Sequence, residues 1–159
     1  MKWNKSDSLR LLLALSVGMV LFGIDQFIKH LVLRGTWHSY FNGQLAIGPF
    51  YNEGIAFSIS LPNVLLVLAI FASVVFVFWM TFFEVHVHPI LSAVSLGLVL
   101  GGSAGNALDR IRFGAVTDYV HVFQVSVFNF ADVSIALGLL ILVFLLFSKK
   151  NKLLGEAKK

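Results

Sequence analysis

The sequence predicts a membrane all-α bundle of four transmembrane helices, with a small β-rich platform on the extracytoplasmic side. Three observations predict it. Hydrophobic residues make up 58% of the 159 and charged residues 13%, too apolar a balance for a water-exposed surface of ordinary polarity. Four apolar runs, about 9–33, 62–83, 90–108 and 130–148, have the length needed to cross a bilayer. Basic residues flank both ends: Lys2, Lys5 and Arg10 before the first run, then Lys149, Lys150, Lys152, Lys158 and Lys159 after the last. Four spans with basic flanks at both ends put both termini on the cytoplasmic side. Residues 1–159 therefore read as a single polytopic membrane domain. With Cys 0, disulfides, thiolate chemistry and Cys-ligated metal are excluded. The net charge of +4 sits in the flanks, so lipids are the expected surroundings and no nucleic-acid partner is expected.

The first span opens with a basic stretch and an uninterrupted apolar run, Leu11 to Ile24. No small-residue cleavage site follows it, so it reads as a retained helix and not a signal peptide. Asp25 interrupts it. At about 1.5 Å of rise per residue, the residues from there to Leu33 cover roughly 12 Å, which puts Asp25 in the outer half of the bilayer. Lys29 is its (i, i+4) partner, and its long chain is expected to snorkel outward.

Residues 34–61 form the expected platform, with the interfacial aromatics Trp37, Tyr40, Phe41, Phe50, Tyr51 and Phe57. Asn42-Gly43 is a hairpin-turn signal and Gly48-Pro49 a second turn signal. Asn52 and Gly54 read either as a tight turn or as part of a site. The second span, with Pro62 in its first turn, is apolar all round, as suits a lipid-facing helix. The connection from Glu84 to Pro89 holds His86 and His88, which read as a solvated loop and not a metal site.

In the third span Gly97, Gly101 and Gly105 recur every four residues and form a close-packing face, which needs no functional explanation. Asn106, Asp109 and Arg110 follow at its outer end, where the charged pair marks either the water interface or a site. An outer loop, 109–129, carries Asp118 and Asn129. Asp132 stands at the outer end of the fourth span, where the helix dipole favours a negative charge and a capping role is equally open. A polar cytoplasmic tail, 149–159, ends the chain.

With this topology Asp25, Asn52, Asn106, Asp109, Arg110, Asp118, Asn129 and Asp132 all map to the outer side. In a chain whose Asp and Glu total 8, that convergence needs a reason, because ionisable residues near hydrocarbon are costly. There is no nucleophile elbow, phosphate loop or metal-ligand spacing. Asp118 and Asp132 remain as a pair of carboxyls, one able to deprotonate water while the other donates to a peptide carbonyl. Two other readings stay open at this point. One is a proton- or cation-coupled transporter using Asp25, Asp118 and Asp132, although a relay would need acids at several depths. The other is a non-catalytic membrane subunit in which the aspartates act as caps.

Five short motifs, in order, resemble the bacterial lipoprotein signal peptidase (signal peptidase II) family. They are Asp25-Gln26 with Lys29, Asn52-x-Gly54-x-Ala56-Phe57, Gly101-Gly102-x-x-Gly105-Asn106-x-x-Asp109-Arg110, Gly114-x-Val116-x-Asp118-Tyr119 and Phe128-Asn129-x-Ala131-Asp132. The resemblance implies an aspartic membrane endopeptidase of the bacterial cytoplasmic (inner) membrane, acting as a monomer without cofactor or metal near the extracytoplasmic face. It also implies a short surface helix between the third and fourth helices. The substrates implied are diacylglyceryl-modified prolipoproteins, cut just before the lipidated cysteine. Asp118 and Asp132 would be the catalytic dyad. Asn52, Gly54, Asn106, Asp109, Arg110 and Asn129 would shape the site or hold substrate, with Asp25 in support. Thr117 and Tyr119 flank Asp118 where the family often has Val and Phe.

Overall fold

A computed structural model describes residues 4–35, 38–40, 43–54, 63–85, 88–123 and 126–156. Its elements, in chain order, are α1 (Lys5–Arg34), β1 (His38–Tyr40), β2 (Leu45–Asn52), α2 (Asn63–Trp79), α3 (Pro89–Phe113), β3 (Val116–Val122), β4 (Ser126–Phe128) and α4 (Phe130–Glu156). A π-helical turn, Met80–Glu84, continues α2. The four helices are each long and apolar enough to cross a membrane. Large apolar side chains such as Leu12, Met19, Phe71, Leu140 and Phe147 point outward, the inverse of a water-soluble bundle.

The middle of the bundle is α3. Of its most apolar window 61% is buried, against 17% to 28% for the other three helices. Its small residues cause this. A Cβ on Gly97 would lie 2.7 Å from the Ala14 carbonyl oxygen, and one on Gly101 2.6 Å from that of Gly18. On the opposite face a Cβ on Gly102 would lie 2.5 Å from the Ala131 carbonyl oxygen. Helices α1 and α4 can therefore approach α3 backbone to backbone, and dispersion between close-packed chains replaces the hydrophobic effect that lipid does not supply.

The strands form one antiparallel sheet in the order β1-β2-β3-β4. Strands β1 and β2 come from the expected platform, and Gly43, at φ 83°, supplies the left-handed turn between them; Asn42, Phe57 and Pro62 lie outside the described residues, as does His86. Three expectations need correction here. Gly48-Pro49 is not a turn: both residues lie inside β2 at a register shift between Ile47 and Phe50. A bulge tolerates a proline that cannot donate to the ladder. The short surface helix after the third span is not present among the described residues, because Val116–Val122 and Ser126–Phe128 are strands. Their β-branched and aromatic content suits a pleated surface, so the sheet is built from both loops at this end of the bundle. Finally, α3 does not stop at 108 but continues to Phe113, where Gly114, left-handed at φ 73°, ends it with its N–H on the Arg110 carbonyl. Asp109 and Arg110 are therefore helical.

Candidate active site

Strand alternation brings Asn52 and Asp118 to one face. In the β2–β3 ladder Asn52 is paired with Val116 and Phe50 with Asp118, so Asn52 and Asp118 are diagonal neighbours. Asn52 Nδ2 donates to Asp118 Oδ2 at 2.9 Å, and its Oδ1 accepts the Gly54 N–H at 3.0 Å. The Asn52 side chain thus closes a turn onto Gly54 and reaches Asp118 at the same time. Asn129 Nδ2 donates to the other oxygen, Asp118 Oδ1, at 2.6 Å.

The start of α4 presents the second carboxyl. Asn129 precedes the helix and Asp132 is its third residue. Asp132 N–H donates to Asn129 Oδ1 at 2.9 Å, and Asn129 N–H donates to Asp132 Oδ2 at 3.1 Å. This reciprocal cap satisfies two backbone donors. It leaves Asp132 Oδ1 to accept from Asn106 Nδ2 at 2.8 Å. Capping and a place in the site coexist because a carboxylate has two oxygens.

Both aspartates face a cavity of about 470 Å³, whose wall includes Asn52, Gly54, Asn106 and Arg110. Helix α2 contributes Leu66, Ala69, Ile70 and Ser73 to the apolar side of that wall. Asp118 is 1% exposed. Burial pushes its carboxyl up to about 6; the Asn52 hydrogen bond opposes this, and the negative charge of Asp132 adds to it. Burial also pushes the Tyr119 phenol up to about 12. The Tyr119 oxygen accepts the Phe130 N–H at 3.0 Å, joining β3 to the first turn of α4. Arg110 donates to the Gly54 carbonyl at 2.9 Å, and its Nε finds no acceptor among the described residues.

Behind this layer lies a buried ionic group. Lys29 Nζ is 2.9 Å from Asp25 Oδ2, 3.0 Å from Asp109 Oδ2 and 3.1 Å from Asn106 Oδ1. The (i, i+4) pair is as expected, but the outward snorkelling is not. Lys29 is 3% exposed, turned inward because two carboxylates await it there. Asp109 is likewise buried and does not mark a water interface. Asp25 Oδ1 accepts the N–H of Ala131 at 3.1 Å, and Asp109 Oδ2 that of Thr117 at 2.9 Å. Ala131 and Thr117 are the residues just before Asp132 and Asp118. At Gly105 the close approach is to a side chain, since a Cβ there would run into the Asp25 carboxylate.

All nine residues singled out from the sequence meet at this end of the bundle. Lys29, Gln26, Thr117 and Tyr119 were not among them. Gln26 Nε2 donates to Asp25 Oδ2 at 3.2 Å and Asp109 Oδ1 at 3.3 Å. A signal for Lys29 did exist: a cation inside an apolar helix, one turn from Asp25, in a chain with further acids at the same end of the bundle. Thr117 acts through its backbone, which side-chain motifs do not reveal.

Comparison with known proteins agrees with this architecture. A family model described as Signal peptidase (SPase) II matches residues 17–148. The lipoprotein signal peptidase of Helicobacter pylori is 34% identical over 157 residues, covering 90% of this chain and 94% of that protein. That of Bartonella bacilliformis is 34% identical over 165 residues, covering 93% and 95%. A solved bacterial membrane enzyme superposes with a TM-score of 0.74 at 18% identity, over 87% of this chain and 90% of its own, a likeness of fold. The matched region runs through α1, both β-forming loops, α3 and the capped start of α4, and on that ground the chain belongs to the signal peptidase II family.

Proposed function

We propose that this chain cleaves diacylglyceryl-modified prolipoproteins just before the lipidated cysteine, with Asp118 and Asp132 activating the water. The coarser statement follows from the family itself: the chain is an aspartic membrane peptidase that removes signal peptides from prolipoproteins. The observation that carries the residue-level proposal is the convergence of two carboxyls on one cavity, with each of their four oxygens met by an N–H donor.

In the reaction, the ionised member of the dyad takes a proton from water as the water oxygen attacks the scissile carbonyl carbon. The protonated member gives its proton to the carbonyl oxygen. Collapse of the tetrahedral adduct returns that proton to the dyad and delivers the other to the departing amine of the cysteine, so protons balance over the cycle. The titration belongs to the pair. Burial makes Asp118 the carboxyl that keeps its proton more readily than an ordinary aspartate. Arg110 lines the cavity wall, and its guanidinium has N–H groups beyond the one on the Gly54 carbonyl, one of which can donate to a substrate backbone carbonyl. Gly54 leaves the wall open beside it.

The proposed setting is the bacterial cytoplasmic membrane, with both termini inside, the sheet on the extracytoplasmic side and the enzyme acting as a monomer. The substrate's signal helix then lies in the bilayer beside α2, and its lipid chains hold the scissile bond near the interface. Positioning of this kind removes much of the entropic part of the barrier.

The test is cleavage of a diacylglyceryl-modified prolipoprotein in liposomes by wild type, Asp118→Asn and Asp132→Asn. Both variants are expected to fold and to lose essentially all cleavage. Near-normal activity in either would assign that aspartate to capping alone.

A further inference from the structure

We infer that Lys29 is a positioning residue for the dyad, because it dictates which end of the Asn106 side-chain amide faces Asp132. The inference rests on Asp118 and Asp132 being the catalytic pair. The two ends of an asparagine amide are nearly equal in shape and opposite in hydrogen-bonding sense: the oxygen accepts and the nitrogen donates. A lysine ammonium donates and cannot accept. With Lys29 Nζ 3.1 Å from it, the nearer end of Asn106 has to be oxygen, and the other end, nitrogen, is then the one 2.8 Å from Asp132 Oδ1. The flipped amide would set an N–H₂ against the ammonium and an oxygen against a carboxylate. Asn129 Nδ2, also donating to Asn106 Oδ1 at 3.1 Å, reinforces the same choice.

Lys29 itself has no slack. An ammonium has three N–H groups, and three acceptors surround it: Asp25 Oδ2, Asp109 Oδ2 and Asn106 Oδ1. The two carboxylates also hold the backbone N–H groups of Ala131 and Thr117. One cation on α1 therefore links the segment entering Asp132, the segment entering Asp118 and the amide between them. A bare ion-pair scaffold would need only the carboxylates; the third contact, onto the oxygen of Asn106, reaches the chemistry.

The sign of the effect follows. The charged and titratable groups around the dyad are Asp25 and Lys29 on α1, Asp109 and Arg110 on α3, Asp118 and Tyr119 on β3, and Asp132 on α4. Without Lys29 the amide can turn, and Asp132 Oδ1 loses the N–H that meets it. Asp118 loses a positive charge that holds its carboxyl down. The loss of that charge favours the protonated Asp118 carboxyl, so the pH profile of cleavage moves to higher pH.

The experiment is prolipoprotein cleavage in liposomes, with kcat, KM and the pH profile measured for wild type and the following variants, Asn106→Leu alone included. Lys29→Met alone leaves two buried acids short of a cation and is prone to unfold. The second variant, Lys29→Met with Asp25→Asn, removes one charge of each sign and keeps an oxygen for the Ala131 N–H. Lys149→Met is the control, because that lysine pairs with Glu84 at the other end of the bundle. A displaced reacting group costs about 100-fold, so the charge-balanced variant is expected to lose about that much in kcat, with KM little changed. The upward shift of the profile is expected in full only for Lys29→Met, because Asp25→Asn removes a negative charge and so opposes it. Asn106→Leu added to it is expected to cost little more, because both changes break one path. The inference is overturned if the folded, charge-balanced variant keeps a wild-type kcat and pH profile, or if its cost and that of Asn106→Leu simply add. Asp118→Asn and Asp132→Asn in the same assay separate the two claims: activity in either removes the dyad reading, whereas inactive dyad variants beside a normal Lys29 variant remove only the inference.

Discussion

Asp118 sits where three opposing influences meet. Burial lifts its carboxyl, the Asn52 and Asn129 amides draw it back and Asp132 pushes it up again, for a net rise from the ordinary 3.8 to about 6. Asn52→Leu removes one donor that favours the charged form, so Asp118 then titrates at higher pH. The limb of the kcat/KM profile that reports it is expected to move upward, and an unmoved limb would assign it to another group. The same shift has a stability consequence. A raised carboxyl pKa means that the folded chain binds the proton more tightly than the unfolded one, so stability falls as pH rises from about 4 to about 6 and stays lower above that. With Asp118 moved to about 6, the loss is on the order of 3 kcal/mol. Asp118→Asn is expected to flatten that part of the thermal-stability profile in detergent; an unchanged slope would place the titration elsewhere.

The helices meet through glycine, and the glycines differ in ways that a melting experiment can read. Gly102→Ala puts a methyl 2.5 Å from a backbone oxygen of Ala131. Helix α4 then has to move, at about 1–3 kcal/mol, and Asp132 moves with it, so both melting temperature and cleavage are expected to drop. Gly105→Ala strikes the Asp25 carboxylate and is expected to lose activity more than stability. Gly23→Ala is the contrast. A Cβ there meets nothing within 4 Å, and replacing an unneeded helical glycine is expected to raise stability by about 0.5–1 kcal/mol. Equal effects at positions 23 and 102 would argue against backbone contact as the basis of the bundle.

Across the whole molecule, the polar groups fall into two clusters at opposite ends. Opposite the dyad, Arg10 is 7% exposed, although its place before the first apolar run suggested only a basic flank. It donates to the Thr81 and Val85 carbonyls at the end of the π-helical turn, lies 3.1 Å from the Ser92 hydroxyl and stacks on Phe82. It thus joins α1 to the ends of α2 and α3. Arg10→Gln leaves buried carbonyls short of a donor, at about 1–3 kcal/mol. The expected result is a lower melting temperature with cleavage per folded molecule retained, and loss of both together would tie this end to the active one. Four spans, the glycine stripe and the Asn129-x-x-Asp132 cap were legible in the sequence because each is a pattern among residues within a turn or two of one another. The strands Val116–Val122 and Ser126–Phe128 were not read from the sequence, which pointed to an outer loop at 109–129 and, through the family resemblance, to a short helix. The inward turn of Lys29, the burial of Arg10 and the meeting of Asp118 with Asp132 could be decided only in the tertiary structure. Lys29 and Asn106 are 77 positions apart, and the direction of a long cationic side chain depends on where its counter-charges lie. No local periodicity encodes that. Composition and short-range pattern determined that this chain spans a membrane, and close packing on α3 decided which charges would face each other inside it.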